Sequence, residues 1–317
     1  DRAERIEVRF DIDVGPRYKL KPPNILDAKT EQPVPETLVP RGQLEAQPNT
    51  GADSARVMAT DEQIVRQLRE HGFPYARIAN REAVVDHADK SMTVTWKVTP
   101  GPLAKFGSVA FKGLERTRES FLAKRIPFKA GEQYTPVRID ELRDDMLKRG
   151  IFSSVKVSQA PQLDAQGQLP VTIEVVERAP RTIGFGASYA TSEGFGANAY
   201  WQHRNLFGGA ETLRLTAEVA GLLENKLTQP SFGVYAKYRE PDIWRLDQDL
   251  TADLYAERKI LDAYTKQAIG ASVGLEQLFS EGLRGSIGLL GEKSIQTRNG
   301  DKQRFTLFGL PLTLALD

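Results

Sequence analysis

The chain has no cysteine. That absence excludes disulfides, thiolate metal sites and cysteine nucleophiles, and it is compatible with any compartment. Histidine is scarce: His71, His87 and His203 are the three present. Their spacing matches no metal motif such as two histidines one helical turn apart, and solvated or capping roles are expected. No window approaches the ~18 consecutive apolar residues of a transmembrane helix. A charge excess is missing too, since 43 Lys+Arg against 42 Asp+Glu leave a net charge of +1. With no basic run, nothing electrostatic points to nucleic acid. An initiator methionine is absent, and DRAERIEVRF already reads as a strand. The chain is therefore expected to be cut at its left end, with no signal peptide visible.

Catalytic patterns are equally thin. GFGANA (194–199) fits a dinucleotide-loop pattern but sits in an alternating stretch with no helix after it. GASVG (270–274) would offer Ser272 as a nucleophile, yet every histidine lies upstream, against the chain order of that hydrolase family. Asp144 and Asp145 read as helix-face charges, and Asp11 and Asp13 as strand-face charges. The expectation is a protein that is not an enzyme, with no catalytic, cofactor or metal site.

What is present is a change of period near Arg178–Arg181. Before it, strand and helix patterns alternate and repeat. RIEVRFDIDVGPRYKL (5–20), SMTVTWKVTPGPLAKFGSVAFKG (91–113) and LPVTIEVVERAP (169–180) alternate as strands. Between them, DEQIVRQLREHGFP (61–74) and IDELRDDMLKRGIF (139–152) place apolar residues on one helical face and stop at Gly72 and Gly150. Each unit reads strand, two helices, strand, strand. SSVKVSQA (153–160) reads as an edge strand with Val155 and Val157 inward and Lys156 outward. Such an edge either accepts a peptide by strand addition or is a charged edge guarded against aggregation.

After the boundary, strands of about 9–13 residues follow one another with a period of two. In ETLRLTAEVAG (211–221), Leu213, Leu215, Ala217 and Val219 oppose Arg214, Thr216 and Glu218. The lengths suit a tilted membrane strand, and compact turns (NLFGGA, FSEGL) alternate with looser ones (GLLENKLTQP, QTRNGDKQ). Tyr200, Trp201, Tyr238, Trp244 and Tyr264 near strand ends hint at interfacial girdles. About eight strands follow Thr182. A membrane barrel is favoured over a soluble sandwich. In this frame WQHRNLFGGAE (201–211) is a hairpin, with Asn205 and Gly208–Gly209 supplying positive-φ positions. Its apolar tip, Leu206 and Phe207, would touch headgroups or a neighbouring domain.

HRNLFGGAE, following GFGASYATSEGFGANAYW, resembles the start of the barrel in bacterial outer-membrane assembly factors related to BamA. VTPGPLAKFGSVAFKGL, PFKAGEQYTPVRIDELRDDMLKRGIFSSVKV, LPVTIEVVERAPRTIGFGASY and YREPDI strengthen the likeness, which is greatest to the TamA branch. The resemblance implies α+β POTRA domains followed by an antiparallel transmembrane β-barrel. Residues 1–16 would end a first POTRA domain, 17–101 form the second, 102–179 the third, and 180–317 the N-terminal half of the barrel. It implies a fragment, lacking most of its first POTRA domain and half its barrel. It places the barrel in the bacterial outer membrane and the POTRA domains in the periplasm. The implied function is to insert or translocate autotransporter-type clients by strand addition at a lateral gate. Ile183, Gly184, Phe185, Gly186 and Ala187 would form one side of that gate, its glycines either making the strand pliant or relieving crowding. Val155, Lys156 and Val157 would form the partner edge, and Arg204, Asn205, Leu206, Phe207 and Gly208 the barrel hairpin. Implied partners are a TamB-like inner-membrane-anchored periplasmic protein, client proteins and outer-membrane lipid. A BamA-type general insertase, a two-partner secretion pore and a passive porin-like barrel remain as rivals.

Overall fold

Residues 16–191, 194–222, 230–261, 263–280 and 282–316 are described by the computed structural model. The strand expected at 5–14, and nearly all of the POTRA tail expected at 1–16, lie outside them. The chain divides into two compact units. The first comprises Asp1–Ser108, Phe128–Asp140 and Gln159–Val171; the second comprises Val109–Pro127, Glu141–Ser158 and Thr172–Asp317.

In the first unit, β1 (Lys19–Leu20) and β2 (Asn24–Asp27) run parallel to β4 (Ser91–Thr99), and β3 (Arg77–Asp86) pairs antiparallel on its other side. α1 (Ser54–Glu70) begins where Asp53 accepts the Arg56 N–H at 2.8 Å and ends at Gly72, whose φ is 97°. Its buried Val57, Ile64 and Leu68 pack in one core with Ile25, Trp96 and Val98. The buried Trp96 indole donates to Asp61 at 2.6 Å, so its polar atom is satisfied. The expected pair of helices is not found here. Among the described residues this module has one α-helix and a 3-10 turn at Arg41–Gln43. Pro33, Pro35, Pro40 and Pro48 remove helix donors from the intervening segment. Side chains replace them, with Arg41 donating to the Val34 and Val39 carbonyls at 2.6 Å.

The second module follows the expected plan: β5 (Lys105–Lys112), α2 (Glu119–Ala123), α3 (Pro136–Lys148), β6 (Phe152–Gln159) and β7 (Gln168–Glu177). The strand order is β5-β7-β6. Leu169, Val171, Ile173 and Val175 of β7 alternate inward and are buried. Pro136 opens α3, a position where its missing N–H costs nothing, and Gly150 lies beyond its end with φ 73°.

The rest is one antiparallel sheet in sequence order. It comprises β8 (Arg181–Ala190), β9 (Gly194–Arg204), β10 (Thr212–Leu222), β11 (Ser231–Glu240), β12 (Gln248–Ile260), β13 (Thr265–Ser280), β14 (Leu283–Arg298), β15 (Asp301–Gly309) and β16 (Leu312–Leu316). β15 and β16 are one strand interrupted at Leu310–Pro311. They pair with successive parts of β14, and the Gly288 N–H donates to the Pro311 carbonyl at 3.0 Å. The described residues therefore hold eight crossing strands, and the sheet is open.

Register fixes the two faces. Ile183, Trp201, Leu215, Ala236 and Leu254 align across β8 to β12 on one face. Gly184, Tyr200, Thr216, Tyr235 and Tyr255 align on the other. The apolar face is open: Ile183, Phe185, Leu254 and Ile269 are each at least 61% exposed. A contiguous apolar surface of this extent is untenable in water and suits hydrocarbon, while the ladder between neighbouring strands pairs their backbone polar groups. Trp201 and Tyr238 lie on this outward face, as girdle residues should. Tyr200 does not. Adjacent residues in a strand point to opposite faces, so Tyr200 joins the polar side. Trp244 lies in the β11–β12 turn and Tyr264 in the β12–β13 turn.

Candidate functional site

β8 leaves the second module directly and, among the described residues, pairs only with β9. Among the described residues no strand lies on its other side. Ile183 and Phe185 project outward and are exposed, with Ala187 in the same row. Gly184 and Gly186 fall on the polar face. A Cβ at Gly184 would lie 2.3 Å from the Tyr200 ring, and one at Gly186 would lie 2.9 Å from the Asn198 side chain. These glycines make room for neighbours, which agrees with the crowding alternative. Gly270 does the same under Tyr255, at 2.3 Å. Arg214 covers the Tyr200 ring at 3.8 Å, so the seated ring also carries a cation–π contact. Ser272 of the discounted GASVG motif lies on this polar face, its hydroxyl 3.3 Å from Asp253.

At the start of this sheet, within the second unit, two turns are held by segments of the preceding module. The β9–β10 turn is the predicted hairpin. Arg204 closes β9 and donates to the Thr182 hydroxyl at 2.7 Å. Asn205, with φ 64°, is buried; it donates to the Thr117 hydroxyl at 2.8 Å and accepts the Ala210 N–H at 2.9 Å. The Leu206 N–H donates to the Glu211 carbonyl at 3.0 Å. Phe207 remains 65% exposed at the tip. The Gly208 carbonyl accepts the Arg118 N–H at 2.8 Å, and a Cβ on Gly208 would lie 2.7 Å from the Arg116 carbonyl oxygen. One detail departs from expectation. The positive-φ residues are Asn205, Gly208 and Ala210, not Gly209. Gly209 is instead small because Glu211 and Arg118 crowd it.

The buried Glu211 carboxylate gathers this turn, accepting the Phe207 and Gly209 N–H groups at 2.9 Å and pairing with Arg118 at 2.8 Å. Glu177 performs the same task for the 115–117 segment, accepting three successive backbone N–H groups at 2.8–3.1 Å. Burial opposes its ionisation, but those bonds prevail and hold the carboxyl below its ordinary range.

The β11–β12 turn is held by charge. Arg125, with a side chain only 4% exposed, grips Asp145 with two bonds of 2.6 and 2.9 Å. It also bonds Asp242 and reaches Asp247 at 2.8 Å. Arg149 adds bonds to Asp145 at 2.9 Å and Asp247 at 3.1 Å. Burial pushes Asp145 up, yet the Arg125 and Arg149 bonds outweigh it and hold the carboxyl low. Asp145 is therefore no plain helix-face charge. None of Arg118, Arg125, Glu177, Glu211, Asp242 and Asp247 was singled out from sequence. The one local signal was the Asp145/Arg149 spacing of four along and just beyond α3.

β6 lies at the edge of its sheet, with Val155 buried, Val157 half-buried and Lys156 exposed. This edge and β8 belong to different sheets. Among the described residues no histidine, cysteine or carboxylate cluster suited to a metal ion occurs. His71 caps α1, its ring nitrogen 2.8 Å from the Gln67 carbonyl, and His87 meets the Tyr18 hydroxyl at 2.6 Å.

Comparison with known proteins agrees with this geometry. Residues 104–178 match the POTRA family model, "Surface antigen variable number repeat". The chain is 21% identical over 220 residues to the outer membrane protein assembly factor BamA of Nitratidesulfovibrio vulgaris, covering 68% of this chain and 26% of that protein. It is 23% identical over 138 residues to BamA of Neorickettsia risticii, covering 44% of this chain and 18% of that protein. The crystal structure of Haemophilus ducreyi BamA lacking POTRA domains 1–3 superposes with a TM-score of 0.76 at 18% identity, over 93% of this chain and 59% of that one. This chain thus spans about a quarter or less of the two curated relatives' length. BamA homologues are outer-membrane proteins with periplasmic POTRA domains, and the outward apolar face of β8–β14 suits that setting. Residues 104–178 are accordingly a POTRA domain, and the sheet that follows has the fold of a BamA barrel portion.

Proposed function

We propose that this chain is part of an outer-membrane assembly factor that inserts or translocates client proteins by strand addition at β8. The supporting observation is the place of β8, which leaves the POTRA domain directly as the first strand of the outward-apolar sheet and, among the described residues, pairs with β9 alone. Unpaired backbone groups are prohibitive in hydrocarbon, so a client strand arriving at such an edge gains a full ladder at the moment it enters the membrane. The docked turns hold the root of β8–β12 in one geometry. In this reading the POTRA domains lie in the periplasm, and the β6 edge receives an extended segment of a periplasmic partner.

The finer version is the TamA-type one, with autotransporter clients and a TamB-like partner anchored in the inner membrane. A BamA-type general insertase draws equal support from the relatives named above. Client range separates them. With the protein in phospholipid vesicles, an autotransporter and a porin-type barrel are offered as unfolded clients, and protease-protected folded product is measured. Faster insertion of the autotransporter alone supports the TamA-type reading, and faster insertion of both supports the BamA-type one. No acceleration of either overturns the assembly function. Val157→Pro, which removes a β6 backbone donor, should weaken partner binding; unchanged binding would move the partner site elsewhere.

A further inference from the structure

The outward face of the sheet is uneven beside β8. Ala199, Ala217 and Ala236 form the floor of an apolar groove of about 650 Å³, and Trp201, Leu215 and Leu254 rise around it. Register aligns these residues in two adjacent rows across β9 to β12. The next row toward the start of β8 ends in a different chemistry. There Arg181 stands directly opposite His203. Arg181 is exposed and, among the described residues, pairs with no carboxylate; the His203 Nδ1 atom is buried without a hydrogen-bond partner.

An exposed cation at the end of an apolar groove fits an amphipathic anion. We infer that this groove seats one anionic phospholipid of the leaflet on the POTRA side. Its phosphate would lie at Arg181, in the row next to the groove, and one acyl chain over the alanine floor. Charge complementarity selects the occupant: a neutral apolar segment would leave Arg181 uncompensated at the bilayer surface, whereas a phosphate accepts a guanidinium's paired donors. The seat adjoins the root of β8, so its occupant is a lipid beside the first strand of the sheet. This inference rests on the reading that the outward face meets lipid.

Tryptophan quenching tests both statements separately. The chain has three tryptophans; Trp96 is buried in the first unit, and Trp244→Phe removes the one in the β11–β12 turn, leaving Trp201 as membrane reporter. The protein is placed in phosphatidylcholine vesicles carrying a small fraction of either brominated phosphatidylglycerol or brominated phosphatidylcholine. The seat predicts that the anionic quencher is enriched at Trp201 about fivefold, the effect of one arginine near a membrane surface. Arg181→Gln should return the ratio to about one, and Ala217→Phe, which fills the groove, should lower it with Arg181 intact. Equal quenching by the two lipids in the parent, or a ratio unchanged by Arg181→Gln, would overturn the seat. Absence of quenching by either lipid would instead overturn the membrane-facing reading on which it rests.

Discussion

Val171, Ile173 and Val175 of β7 and Leu213, Leu215 and Ala217 of β10 share a period of two. In β7 those residues are buried; in β10 Leu215 is 44% exposed and faces outward with its row. The same local pattern thus serves two solvents. In the POTRA domain the apolar row is buried. In the sheet the apolar row faces outward, as suits hydrocarbon, and the opposite face is filled by tyrosines, acids and bases that bond one another, as Tyr235 does Glu218 at 2.7 Å. Period alone tells which residues share a face; strand number, strand length and the absence of covering helices tell what that face touches.

Single substitutions probe this contrast. The largest effect is expected where the two environments are joined. Arg125→Ala leaves the buried Asp242 without its cation and Asp145 and Asp247 with Arg149 alone, and should cost about 3–5 kcal/mol in denaturant unfolding. A loss below about 1 kcal/mol would demote the network to a surface pair. Next comes Leu254→Arg on the outward face. Near the bilayer centre it should cost about 2–4 kcal/mol in folding titrations into vesicles. The inward Ile173→Val in β7 should cost only about 0.5–1.5 kcal/mol. A harmless Leu254→Arg would place that face in water.

Gly184→Val drives a side chain into the Tyr200 ring and should cost about 1–3 kcal/mol. Tyr200→Ala in the same chain should recover part of that loss; independent, additive effects would contradict the ring seat. The smallest effect is a pH dependence from Glu177. Its folded carboxyl is held below its unfolded value, so its stabilisation is fully present above the unfolded value and fades as pH falls through the folded one. Glu177→Gln should therefore flatten the acid side of the stability–pH curve, and an unchanged acid limb would remove Glu177 from that role.

Much of this was legible in the sequence. Alternation in 211–221 and 250–257 gave the correct faces, and Gly72 and Gly150 marked real helix ends. The eight crossing strands also match. The rest failed for identifiable reasons. The first module's second helix was inferred from the repeat, although its prolines forbid it. Tyr200 was grouped with Trp201 because they are neighbours, although neighbours in a strand face opposite ways. The Arg125 network joins residues up to 122 positions apart, and nothing local announces such a pairing. For the candidate site, the strand order of β8 and β6 was readable, because sheet edges follow from element order. The reason for Gly184 was not, because it depends on a tyrosine in the adjoining strand.

The central claim is that β8 accepts a client strand. Because the chain has no native cysteine, single cysteines can be placed at Ile183, Phe185 and Ala187 on β8 and, as controls, at Leu215 and Ala217 on β10. Each is paired with cysteines along the terminal strand of a client stalled during insertion, and disulfide yields are measured. The account predicts cross-links at β8 alone, advancing two client residues for every two residues of β8, as one antiparallel ladder requires. Equal yields at β10, or none at β8 while insertion proceeds, would contradict it.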